Sequence, residues 1–155
     1  MNPARHLSVI FRLLLAPLVL ILTLSLALPS YAEQAIHSQK YDIHYNAFNT
    51  MIVTPEVAQT YGFTRARNRA LLNVSVIDKV TKKSLPAVVT GTRTNIIGQV
   101  LPLEFQQIKE QNAIYYIAQL RFTEEEMWRF ELKIQPDLNA KAIPLKFSQI
   151  FYLEQ

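Results

Sequence analysis

The chain has 155 residues, half of them hydrophobic, a formal net charge of +4 and no cysteine. Without cysteine there are no disulfides, no thiol redox chemistry, no iron–sulfur clusters and no cysteine zinc sites, so the fold stands on its hydrophobic core. Basic and acidic residues are interspersed, which leaves no electrostatic footprint for nucleic acid.

Arg5 and Arg12 accompany an apolar run from Leu13 to Leu28, followed by the small-residue pattern Ser30-Tyr31-Ala32. These are the parts of a secretory signal in their proper order, and they predict removal of residues 1–32 with the cut after Ala32. The alternative is an uncleaved anchor, against which the apolar run falls short of the roughly 20 residues that comfortably span a bilayer. Arg5 and Arg12 leave with the signal and no carboxylate does, so the basic balance is partly the signal's. The expectation is a periplasmic location, no stable membrane insertion after cleavage, no lipid anchor, and a single domain over residues 33–155.

The first alternating segment is Tyr41 to Phe48, with Tyr41, Ile43, Tyr45 and Ala47 on one face and Asp42, His44 and Asn46 on the other. That period of two predicts a half-buried strand. Thr54-Pro55-Glu56 supplies an N-cap hydroxyl, a proline at the first helical position and an early acid, and Gly62 supplies a stop, which predicts one or two helical turns. Strands are then expected over Ala70–Ile77, Ala87–Thr94 and Leu101–Ile108, the first with Leu72, Val74 and Val76 inward. Glu110-Gln111-Asn112 marks a hairpin tip. The next strand, Ile114 to Phe122, puts Ile114, Tyr116, Ala118, Leu120 and Phe122 inward. Trp128 to Gln135 alternates apolar and polar at every step, and Leu145 to Tyr152 is the last strand.

Seven short strands and one short helix predict an all-β, antiparallel two-sheet sandwich of immunoglobulin-like type, with a small barrel as the alternative. Trp128, Phe130, Tyr116 and Phe147 are the expected aromatic core in place of the usual disulfide.

The segments Tyr41 to Thr50, Thr54 to Ala58 and Arg67 to Val76 resemble hallmark stretches of domain-of-unknown-function family 4426, and Ala113 to Tyr116 and Phe147 to Tyr152 are similar to its later ones. The resemblance spans the chain after the signal and implies a small exported bacterial protein with an immunoglobulin-like fold. It brings no activity or catalytic residue with it.

Arg65, Arg67 and Arg69 stand at alternate positions. If that stretch is extended, their guanidiniums share a face and, with Asn68, could hold a carboxylate or phosphate. A solvated arginine row making weak surface pairs is the plainer reading. Glu124-Glu125-Glu126 is either the partner of that row or a separate acidic tip. Imidazole and thioether both suit copper, which makes His44 and Met51 the candidate metal ligands, although their spacing matches no known motif.

No serine sits in a nucleophile-elbow glycine pattern, no carboxylate pair stands apart from the surface acids, and no glycine-rich phosphate loop is present. No catalytic residue and no cofactor are therefore expected. The leading expectation is a non-enzymatic interaction module for a periplasmic or envelope protein. The rivals are a copper-handling accessory protein and a cell-envelope enzyme of unspecified mechanism.

Overall fold

The alternating segments pair into two antiparallel sheets in the computed structural model, which describes residues 34–139 and 141–154. The expected signal, residues 1–32, lies outside the described residues. The first sheet holds, edge to edge, β1 (Ala35–His37), β2 (Tyr41–Asn49), β3 (Arg69–Asp78), β7 (Ala113–Arg121) and β6 (Phe105–Glu110). The second holds β5 (Val100–Pro102), β4 (Val88–Thr94), β8 (Glu126–Gln135) and β9 (Ile143–Phe151). Both sheets keep free edges, so the structure is a sandwich and the barrel alternative falls.

An immunoglobulin constant domain orders its strands A-B-E-D in one sheet and C-F-G in the other. Here β2-β3-β7-β6 and β4-β8-β9 reproduce that order in chain sequence, with β1 and β5 added at edges. The topology is immunoglobulin-like.

Among the described residues the expected seven strands become nine, for two reasons. The short β1 pairs with β2 through Ile36 opposite Ile43, a three-residue stretch without enough length to show a period. The single strand expected over Leu101–Ile108 divides at Leu103 and Glu104, because β5 pairs with β4 and β6 pairs with β7 in the other sheet. At the crossing, the Leu103 amide donates to the Gly91 carbonyl at 3.0 Å.

The inward faces are the alternating sets. Ile43, Leu72, Val74, Val76, Tyr116 and Leu120 of the first sheet meet Val89, Trp128, Phe130, Leu132, Ile134 and Leu145 of the second in one buried cluster. Strand β3 contributes aliphatic residues and β8 adds the larger Trp128 and Phe130, so the core closes without a crosslink. The aromatic rings run in series: Tyr45 to Phe147 at 4.7 Å, Phe147 to Phe130 at 4.7 Å, Phe130 to Phe151 at 6.3 Å and Phe151 to Phe122 at 5.5 Å between centroids. Contacts of this kind each add about 0.5–1.5 kcal/mol beyond burial.

The helix α1 (Pro55–Tyr61) begins and ends where the sequence requires. Thr54 Oγ1 accepts from Val57 N, Pro55 takes the first turn, and Gly62 adopts the left-handed conformation at φ 72°. The helix covers the outer side of the first sheet, where Ala58, Leu71 and Ile108 are buried apart from the main core.

A candidate binding cleft at one end of the sandwich

The chain leaves β7 and enters β8 through Phe122–Glu125, and leaves β4 and enters β5 through Asn95–Gln99. Both connections sit at the same end, because the register places Arg69 opposite Arg121, Thr94 opposite Arg129 and Glu126 opposite Phe151. A cleft of about 720 Å³ opens between them.

One wall is held rigid by a buried asparagine. Asn95 Oδ1 accepts from Gln99 N at 2.8 Å, its backbone N donates to Gln99 O at 3.1 Å, and its carbonyl accepts from Gly98 N at 3.1 Å. Gly98, at φ 84°, takes the left-handed position that closes the turn. The turn holds Ile96 and Ile97 out in solvent, 72% and 82% exposed.

The floor is Trp128 and Arg93. Trp128 is 3% exposed and lines the cleft, and its indole N–H has no acceptor. The Arg93 guanidinium lies 4.0 Å from the ring centroid and donates from Nη1 to the Arg121 carbonyl at 2.7 Å. Burial pulls the Arg93 pKa below its ordinary value, opposed by the carboxylate of Glu126. The guanidinium stays charged, since an arginine begins far above neutral pH.

The opposite wall is the acidic triplet. Glu124 and Glu125 are exposed and Glu126 is half-buried. Among the described residues, the ion pairs are those of Asp42 with His37, Lys79 and Lys82, and of Glu131 with Lys146, so none of the three glutamates is neutralised by contact.

The arginines at 65, 67 and 69 do not form the row that alternation suggested. Residues 63–66 carry no regular structure, a turn occupies Arg67 and Asn68, and only Arg69 is in a strand. Arg65 Nη2 donates to Met51 O at 3.3 Å, whereas its Nε is buried without a partner. Arg67 Nε donates to the Glu154 carbonyl, and Arg67 O accepts from Asn49 Nδ2 at 2.8 Å. Arg69 faces a separate depression beside Glu104, Phe105 and Gln119. The Asn68 carbonyl accepts from Phe122 N at 3.1 Å, so this loop anchors the start of the acidic loop through backbone. No arginine of the set pairs with Glu124–Glu126, which makes the triplet a separate acidic tip.

His44 lies mid-strand, opposite Ala35 and Ser75, and Met51 lies in a 3-10 turn (Thr50–Ile52) past the strand end. At about 3.3 Å per residue, His44 stands roughly 17 Å from the end of β2 at Asn49, and the structure does not bring the pair together. Among the described residues there is no group of three or more His, Cys, Asp or Glu placed to hold a metal ion.

Of the tyrosines, Tyr116 is core, Tyr152 is exposed, and Tyr115 lines a groove of about 310 Å³ beneath α1. Arg93, Asn95 and Trp128 carry the cleft, and sequence reasoning missed their convergence. The Asn95-Ile96-Ile97-Gly98 turn, apolar where a loop is normally polar, was the available signal.

The fold and the cleft define an immunoglobulin-like sandwich with a depression at one loop end. The chain belongs to the DUF4426 family, a domain of unknown function, whose model matches residues 36–154. A crystal structure of a DUF4426 family protein from Pseudomonas aeruginosa PAO1 is similar at 30% identity and TM-score 0.71, covering 81% of this chain and 99% of that one. Copper-bound FetP, a variant from uropathogenic Escherichia coli strain F11, shares the fold at 13% identity and TM-score 0.51, covering 79% of this chain and 95% of that one. As-isolated FetP of the same strain, recombinantly expressed in the periplasm, matches at 13% identity and TM-score 0.50, covering 77% and 92%. The comparison with curated proteins gives no match.

Proposed function

We propose that the protein is a non-enzymatic binding module of the periplasm that seats a periplasmic or envelope protein in the cleft between Asn95–Gln99 and Phe122–Glu126. The observation that carries this reading is the cleft itself, where the exposed Ile96 and Ile97 and the unpaired carboxylates of Glu124 and Glu125 line one depression. The location rests on the order of basic, apolar and small-residue segments at the N-terminus. Among the described residues no helix is long and apolar enough to cross a membrane.

A photocrosslinking residue in place of Thr123, at the cleft, and another in place of Gln111, at the distant β6–β7 tip, test the reading in living cells. The expected result is one discrete adduct from position 123 in the osmotic-shock fraction and none from 111. No adduct at 123, or the same adducts from both positions, overturns it.

The second reading is copper handling, to which the fold shared with copper-bound FetP gives its support. Its ligands from the sequence, His44 and Met51, stand at separate places along β2 and the turn after it.

A further inference from the structure

We propose that the cleft recognises an extended peptide segment bearing a basic side chain, an inference that rests on the binding reading above. Three features of the site select that chemistry. The Glu124 and Glu125 carboxylates face solvent with no basic partner in contact, so the wall they form carries uncompensated negative charge. The facing wall presents Ile96 and Ile97, an apolar surface for the methylene stem of a lysine or arginine.

The floor offers the guanidinium N–H groups that Arg93 does not spend on the Arg121 carbonyl. Main-chain carbonyls of an extended peptide supply the missing acceptors, and a cationic side chain meets the glutamates. A free polyamine satisfies the wall and leaves the floor unpaired. An acidic peptide satisfies Arg93 and Arg121, which also line the cleft, and is repelled by the three carboxylates that outnumber them.

The protein's sole tryptophan is Trp128, so its emission reports on the cleft. Titration of the protein spanning residues 33–155 with capped Ala-Lys-Ala-Lys-Ala, its Glu and all-Ala counterparts, and spermidine separates the possibilities, with the amide chemical shifts of residues 122–127 as a second readout. The expected result is a saturable change with the lysine peptide alone. The doubly substituted E124Q/E125Q protein, altered only at exposed positions, should bind it about fivefold more weakly, and added salt should weaken binding in the parent.

Binding of the glutamate or alanine peptide in preference overturns the basic class and leaves the cleft reading intact. Equal binding of spermidine overturns peptide recognition. Silence from all four probes in both readouts, with the Thr123 adduct still forming, overturns this inference alone, and loss of that adduct as well overturns both.

Discussion

The Tyr116 hydroxyl, on β7 of the first sheet, accepts from the Ala87 amide at the entry to β4 of the second, at 2.6 Å. Gln107 Nε2 also donates to it, at 2.7 Å, so one phenol oxygen links β6, β7 and the facing sheet. Tyr116 is otherwise a core side chain, and the bond gives its polar end a place in an apolar layer.

Removing that oxygen leaves the Ala87 N–H without its partner. Tyr116→Phe is expected to lower the unfolding free energy by about 1–3 kcal/mol, since an unmade buried bond carries the full desolvation penalty. Urea denaturation of the two proteins measures it, and an unchanged midpoint contradicts it.

Gly91 permits the close approach of β4 to β8. A Cβ there would stand 2.4 Å from Leu132 Cδ2 and 2.6 Å from the Glu131 carbonyl oxygen. The leucine can turn away, but the carbonyl belongs to the paired strand and cannot. Gly91→Ala should destabilise by about 1–3 kcal/mol, the range for overpacking, and a thermal melt reads the loss.

Thr54 caps α1, and its replacement by alanine removes the acceptor for Val57 N. The expected cost is about 1 kcal/mol, confined to the helix. Hydrogen exchange should quicken at Ala58 through Gly62 and stay unchanged in β8. Uniform quickening in both would show instead that α1 and the sandwich unfold as one unit.

Acid should weaken the fold partly through Asp42. Its hydrogen bond with His37 Nδ1, at 2.7 Å, holds the carboxyl below its ordinary value, with Lys79 adding to the effect and desolvation opposing it. Because the folded value is the lower one, the stabilisation is present above the unfolded value of about 3.9 and disappears as the pH falls through the folded value. Melting temperature should therefore drop below about pH 4, and less steeply in Asp42→Asn. Some slope should persist, because Asp78 is held low in the same way by the Thr81 amide and hydroxyl and the Val80 amide. Identical pH profiles for the two proteins contradict this assignment.

Copper offers a direct test of the rival function. A ligand that binds only the folded state at about 100 times its dissociation constant stabilises by roughly 2.7 kcal/mol. With His44 mid-strand and Met51 beyond the strand end, no rise in melting temperature that depends on both residues is expected. A rise abolished in either His44→Ala or Met51→Ala would favour the rival.

Much of the fold was legible because inside and outside are written locally. Trp128, Phe130, Leu132 and Ile134 alternate with Arg129, Glu131 and Lys133, and burial follows that alternation residue by residue. Thr54, Pro55 and Gly62 bounded α1 for the same reason, since cap chemistry acts within a few residues. Arg65, Arg67 and Arg69 were misleading because alternation yields a shared face only in extended chain, and the turn at Arg67 and Asn68 disperses them.

The sequence by itself determined the strand faces, the helix limits, the lack of any covalent crosslink and the acidic triplet. Tertiary structure decided that residues 101–108 divide between two sheets, that the arginine loop braces the acidic loop through backbone, and that Arg93 lies over Trp128 beside Glu126. The physical reason is the range of the interaction. A side chain's facing is set by its immediate neighbours, whereas the meeting of β4 with β8 depends on partners more than thirty residues away, whose register no local pattern encodes.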